Sequence, residues 1–109
     1  MYTRENQLRK RRQRYYAMDD TQLADARLSI LLSENGIRIE SRDEGTIFES
    51  GYAAAFNPAL LRLLYGWREG RRIARLIRFA SQNVSHRVTD VASIDFRRYG
   101  LRIEGRGNA

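Results

Sequence analysis

The chain has 109 residues, 20 Lys and Arg against 13 Asp and Glu, one His and no Cys, for a formal charge of +7. A chain of this length is expected to form one domain. Its 42% hydrophobic and 30% charged residues suit a globular fold and argue against wholesale disorder. The lack of cysteine excludes disulfides, thiol nucleophiles, zinc–thiolate sites and iron–sulfur clusters. It fits a reducing compartment, and the expected location is cytoplasmic. No apolar run of the secretory kind opens the chain. The most apolar stretch, Gly51 to Trp67, is interrupted by Asn57, Pro58 and Arg62. A spanning helix wants roughly 20 mostly apolar residues, so no membrane partner is expected.

Charge is laid out unevenly. Residues 1–16 hold six basic and one acidic side chain, residues 17–61 three and eight, and residues 62–109 eleven and four. Two basic ends therefore flank an acidic middle, which can pair with its own flanks; exposed pairs of that kind contribute only about 0–1 kcal/mol each. Every basic residue but Lys10 is Arg. The planar guanidinium fork suits phosphates and carboxylates, although a GC-rich genome would also favour arginine.

From the N-terminus, Arg4 to Tyr16 contains Arg9-Lys10-Arg11-Arg12-Gln13-Arg14, flanked by Leu8, Tyr15 and Tyr16. These are good helix formers, but clustered cations repel and a short isolated helix is marginal. Residues 1–16 are expected to be a basic N-terminal arm, mobile or ordered only by a partner. Asp19 followed three residues later by Gln22 is a capping-box start. The apolar residues from Leu23 to Leu32 extend the predicted helix over 20–34, with Asn35-Gly36 as its stop. Gly36 to Ser41 alternates apolar and polar, Thr46 to Glu49 follows after a Gly-containing turn, and the two read as a hairpin.

Asn57 is a cap and Pro58 a first-turn residue for a long helix predicted to reach about Gln82. In its second half, Gly66, Gly70, Ile73, Ala74, Ile77 and Ala80 share one side. Arg68, Arg71, Arg72, Arg75 and Arg78 lie within about a third of the circumference on the other, with Phe79 among them. The first half, Leu60 to Trp67, is apolar nearly all round, which predicts burial on several sides, Trp67 included, and leaves room for a homodimer. Gly66 and Gly70, four apart, predict close packing against another element and a local kink. Asn83 to Thr89 reads as a connection, Val91 to Phe96 and Leu101 to Glu104 as strands, and 106–109 as a frayed tail. The expected fold is α+β over 17–105, with two main helices packed on a small antiparallel sheet of about four strands.

Catalytic signals are weak. His86 has Ser81, Ser85, Asp90 and Asp95 nearby in sequence, but triads are defined by geometry and no glycine elbow surrounds either serine; His86 reads as a surface or connecting residue. Glu40, Asp43, Glu44 and Glu49 crowd the first hairpin. Metal-dependent hydrolysis needs converging carboxylates, whereas hairpin tips are ordinarily acidic and solvated. Nucleotide-binding glycine fingerprints are missing, and a helix-turn-helix over 73–94 fits poorly, its apolar positions falling on Thr89 and Ala92. No enzymatic activity, metal or cofactor is expected.

Two cationic clusters carry the functional expectation. Arg9, Lys10, Arg11, Arg12 and Arg14 would grip phosphates flexibly, and Arg68, Arg71, Arg72, Arg75 and Arg78 would form a preformed ridge. Tyr15, Tyr16 and Phe79 would stack on unpaired bases. The expected function is that of a non-enzymatic accessory protein binding DNA or RNA. The alternative is an adaptor or inhibitor, in the style of phage and mobile-element accessory proteins, docking on an acidic surface of a nucleic-acid-handling complex. The bland counterpart to both is a solvated helix face and a solubilising tail.

Overall fold

Thr3 opens the first helix, α1 (Arg4–Tyr16), by accepting the Asn6 amide on its hydroxyl. In this computed structural model, which describes residues 3–33 and 35–86, α1 is not a mobile arm. Leu8, Arg12 and Tyr15 fall on one stripe of the helix and are buried, and α1 packs against the edge strand of a sheet. The repulsion expected among its cations is relieved because Arg4 and Arg14 reach carboxylates of that sheet and its hairpin turn.

Helix α2 (Asp20–Asp25) starts with the predicted capping box, Asp19 and Gln22 bonding reciprocally. It stops far short of residue 34. Arg27 adopts a left-handed backbone, φ 54°, in the place where glycine commonly ends a helix. The apolar run beyond it becomes strand β1 (Ser29–Ser33). Ile30 and Leu32 alternate into the core and are fully buried, so long-range burial overrides the helical preference of leucine.

The predicted hairpin is present as β2 (Gly36–Ser41) and β3 (Gly45–Ser50). β1 pairs antiparallel with β2, placing Ile30 opposite Ile39 and Leu32 opposite Ile37. β2 pairs antiparallel with β3, placing Ile39 opposite Phe48 and Arg38 opposite Glu49. The register shifts between Ile39 and Glu40. An extra residue at such a bulge breaks strict alternation, and both Ile47 and Phe48 are buried.

Three helices then return the chain across the sheet: α3 (Tyr52–Ala55), α4 (Pro58–Tyr65) and α5 (Trp67–Ala80). They lead into β4 (Val84–His86), which runs parallel to β1, so the strand order is β3-β2-β1-β4. The sheet is therefore mixed rather than antiparallel, and the connection expected from Asn83 onward contains a strand. Parallel pairing follows from the crossover, because a helical connection can bring the chain back to the starting end of β1. The strands expected at 91–96 and 101–104 and the tail at 106–109 lie outside the described residues. Among the described residues, no helix is long and apolar enough to cross a membrane.

The predicted long helix is divided in two. Its start is as expected, with Asn57 accepting the Leu60 amide and Pro58 in the first turn. Gly66, at φ 95° and ψ 159°, then breaks the helix in a conformation that glycine adopts at little cost. Gly70 lets α5 fold back closely on α4: a Cβ there would lie 2.6 Å from Arg62 Cα and 2.7 Å from Arg62 N. The glycine pair thus provides both the kink and the close approach that its spacing predicts. Gly70→Ala is expected to lower stability by about 1–3 kcal/mol through overpacking, the opposite sign to the gain of about 1 kcal/mol that the change gives in an open helix. A fall in the urea midpoint at unchanged slope would be the readout.

Candidate nucleic-acid interface

The orientation of α5 is set from inside the molecule. Arg12 of α1 is completely buried, and its guanidinium ties three elements together. Nη2 donates to Glu5 Oε2 at 2.6 Å and to Glu69 Oε2 on α5 at 3.2 Å. Nη1 donates to the Ile47 carbonyl of β3 at 3.2 Å, and Nε to the Tyr16 hydroxyl at 2.8 Å. Tyr16 in turn donates to Glu69 Oε2 at 2.6 Å. The rings of Phe48 and Tyr65 lie 5.5 and 5.9 Å from the cation. Burial pulls against the charged form of Arg12, but the bonds to Glu5 and Tyr16 outweigh it and hold the guanidinium more firmly protonated than usual. Burial and the bond to Glu69 push the Tyr16 hydroxyl well above the ordinary tyrosine range, against the opposing charge of Arg12.

This arrangement removes several residues from the expected interface. Arg12 and Tyr15 are buried, and Tyr16 is engaged with Glu69, with Arg72 lying 5.5 Å over its ring; none of the three is placed to grip a phosphate or receive a base. Arg11 donates to the Thr46 carbonyl at 2.8 Å. Arg14 pairs with Asp43 and Glu44. Of the expected arm cluster, Arg9 and Lys10 are exposed on the outer side of α1.

The acidic hairpin is neutralised by the same contacts. Arg4 forms a two-pronged pair with Glu49 at 3.0 and 3.1 Å, which lowers the Glu49 pKa. Arg38 stands between Glu40 and Glu49 at 3.7 and 3.8 Å. The carboxylates are turned towards guanidinium groups, and no cluster of three or more metal-binding side chains forms among the described residues. Asp43, Glu44 and Glu49 of the acidic middle pair with the basic N-terminal flank, and Asp20 pairs with Arg75 on the other side.

Helix α5 sorts its residues largely as the periodicity predicts, except that Gly66 is exposed, Ala74 and Arg75 are half-buried, and Leu76, not assigned to the inner face, is buried. Gly70, Ile73, Leu76, Ile77 and Ala80 are buried, whereas Arg68, Arg71, Arg72 and Arg78 are exposed. Arg75 is used differently, donating to Asp20 at 2.8 Å and to the Met18 carbonyl at 2.9 Å, so it ties α5 to the start of α2. Phe79 is half-buried beneath Arg75 and Arg78, at 5.6 and 5.5 Å. Among the described residues, Arg68, Arg71, Arg72 and Arg78 have no carboxylate within ion-pair distance. With Arg62 and Trp67 they line an open groove of about 840 Å³ along α4 and α5.

The expectation of a buried apolar helix before Gly66 is corrected. Leu63, Leu64 and Trp67 are 79%, 59% and 68% exposed. Trp67 opens α5 on the same helical row as Arg71 and Arg78, four and eleven residues on, so it lies at the edge of the arginine face and away from Ile73 and Leu76. Arg62 lies over the indole ring at 4.7 Å. Arg62, which belongs to α4, is the groove residue that the periodicity of α5 alone misses; the Gly66–Gly70 pair is the signal that α4 folds back beside α5.

No protein-family model matches the chain, and no curated protein or solved structure is similar enough to count as a match.

Replacing Arg12 by Met is expected to cost about 1–3 kcal/mol, because it removes the donors that the Ile47 carbonyl and the half-buried Glu69 accept from. Tyr16 yields a pH test. An unfolded tyrosine titrates near pH 10, while the folded one holds its proton to higher pH. The stabilisation is complete below about pH 10 and is lost as pH rises towards the folded value, since the unfolded chain releases its proton first. Tyr16→Phe should cost about 1–2 kcal/mol at neutral pH and flatten the decline above about pH 10. Urea unfolding at a series of pH values measures both effects.

Proposed function

We propose that the protein is a non-enzymatic, nucleic-acid-binding accessory protein that works in the cytoplasm through the arginine face of α5. The carrying observation is the set Arg68, Arg71, Arg72 and Arg78, exposed on one rigid helix and, among the described residues, unmatched by carboxylates. A row of guanidinium groups spaced along one helix presents planar donor forks that match phosphate oxygens, and each contact releases counterions. Arg9 and Lys10 add a secondary cationic patch. Arg12, Arg14 and Arg75 serve the fold.

A second reading has one observation in its favour. Trp67 is exposed in the same groove as Arg62 and the α5 arginines, and tryptophan with arginine is the combination enriched at protein interfaces. On that reading the same face docks on an acidic surface of a partner protein, as an adaptor or inhibitor. Polyanion competition separates the two: heparin displaces a phosphate-reading protein, whereas a shape-specific protein complex partly survives.

The test of the first reading is a titration into labelled DNA and RNA at about 50 and 200 mM salt. Binding is expected to weaken steeply over that range. Changing Arg68, Arg71, Arg72 and Arg78 to Gln should flatten the salt slope by about 0.7–0.9 for every phosphate the variant no longer neutralises. Arg9→Gln with Lys10→Gln is expected to have a smaller effect. Unchanged affinity in the α5 variant would discard the ridge as the site.

A further inference from the structure

We infer that Trp67 is a stacking platform for an unpaired base, so that this surface selects single-stranded over duplex nucleic acid. The inference rests on the reading of α5 as a nucleic-acid-binding element and names its ligand class.

The starting point is the cost of leaving Trp67 where it is. An indole buries a large apolar area when it enters a core, yet this one is 68% exposed. It is not placed loosely. It follows the Gly66 break as the first residue of α5, and Arg62, on the α4 segment that Gly70 allows close to α5, holds a guanidinium over its ring at 4.7 Å. A cation over one part of the ring, with most of the residue still open, leaves room for a second planar partner. Trp67 also lines the same groove as Arg68, Arg71 and Arg72. The run from Arg68 to Arg78 spans about 15 Å at 1.5 Å per residue. A flexible strand can lay its phosphates along that run while one base turns onto the indole.

Charge complementarity makes this occupant the better match than an apolar one, because the ring is bordered by guanidinium groups that a buried protein core would leave unpaired. Single strands also meet a lower cost than duplexes. Their bases are free to stack on an aromatic ring, whereas a paired base must first be unstacked at a few kcal/mol. Every base has a π-face, so little sequence preference is expected.

Trp67 is the chain's only tryptophan, so intrinsic fluorescence reports on this residue alone. The experiment titrates the full chain, at low salt, with a twelve-nucleotide oligo-dT, a mixed-sequence duplex of twelve base pairs, and inorganic polyphosphate. Labelled-oligonucleotide anisotropy follows affinity in parallel. Oligo-dT is expected to quench Trp67 strongly, with the duplex and polyphosphate changing it little. Trp67→Ala should weaken oligo-dT binding between about 5-fold and 150-fold, far more than it weakens duplex binding, and Trp67→Phe should restore most of the loss.

Equal binding of single strand and duplex, with neither quenching and both indifferent to Trp67→Ala, would overturn this inference and leave the broader nucleic-acid reading intact. Equal quenching by polyphosphate would also overturn it, since the indole would then be reporting charge alone. Failure of every nucleic acid to bind at low salt would overturn the broader reading as well. A blue-shifted emission that grows with protein concentration, or with anionic phospholipid vesicles, would assign Trp67 to a second copy of the chain or a lipid surface instead.

Discussion

A single buried cation holds the parts of this fold in register. Arg12 carries a full charge into a site with no solvent access, and an isolated charge there would be prohibitively costly. It is tolerated because Glu5, Glu69, the Tyr16 hydroxyl and the Ile47 carbonyl meet its donors from different directions, with two aromatic rings alongside. Those partners belong to α1, α5 and β3. Sliding or rotating any one of the three would unpair a buried ion, so the network specifies relative position more than it adds net stability.

The position of α5 matters because its outer face carries the exposed arginines. Glu69 points inward to Arg12, while Arg68, Arg71 and Arg72, its neighbours on the helix, are exposed. Arg75 ties the same helix to Asp20 and Met18. Gly66 and Gly70 add a second constraint by folding α4 against α5, which brings Arg62 over Trp67 and turns a flat helix face into a groove. Interior ion pairing and exterior charge are therefore two sides of one element, and the helix that carries the candidate interface is anchored in the core beneath it.

Arginine performs two distinct jobs in the chain. Arg4, Arg12, Arg14, Arg38 and Arg75 are consumed by carboxylates of the fold. Arg68, Arg71, Arg72 and Arg78 remain at the surface. Bulk composition cannot separate these uses, because an arginine in a run looks the same whether its partner is a phosphate outside or a glutamate 57 residues away, as for Arg12 and Glu69. The short N-terminal helix illustrates the point. Read alone it is a repelling, marginal arm; with its acidic partners in place it is a packed structural element.

Local signals are legible in the chain and reappear in the fold. Asp19 with Gln22, Asn57 with Pro58, the Gly36–Ser50 hairpin, the Gly66–Gly70 pair and the outward arginines of α5 all depend on neighbours within a few residues. Caps, turns and helical periodicity are chemistry between such neighbours. Tertiary structure decided the rest. Ser29 to Ser33 became a strand because a sheet was there to pair with it, and β4 ran parallel to β1 because three helices returned the chain. Arg12 went inside because the distant Glu69 and the Ile47 carbonyl joined Glu5 and Tyr16 in satisfying it. Each of these outcomes balances burial against pairing across long stretches of chain, and that balance exists only once the partners have met in space.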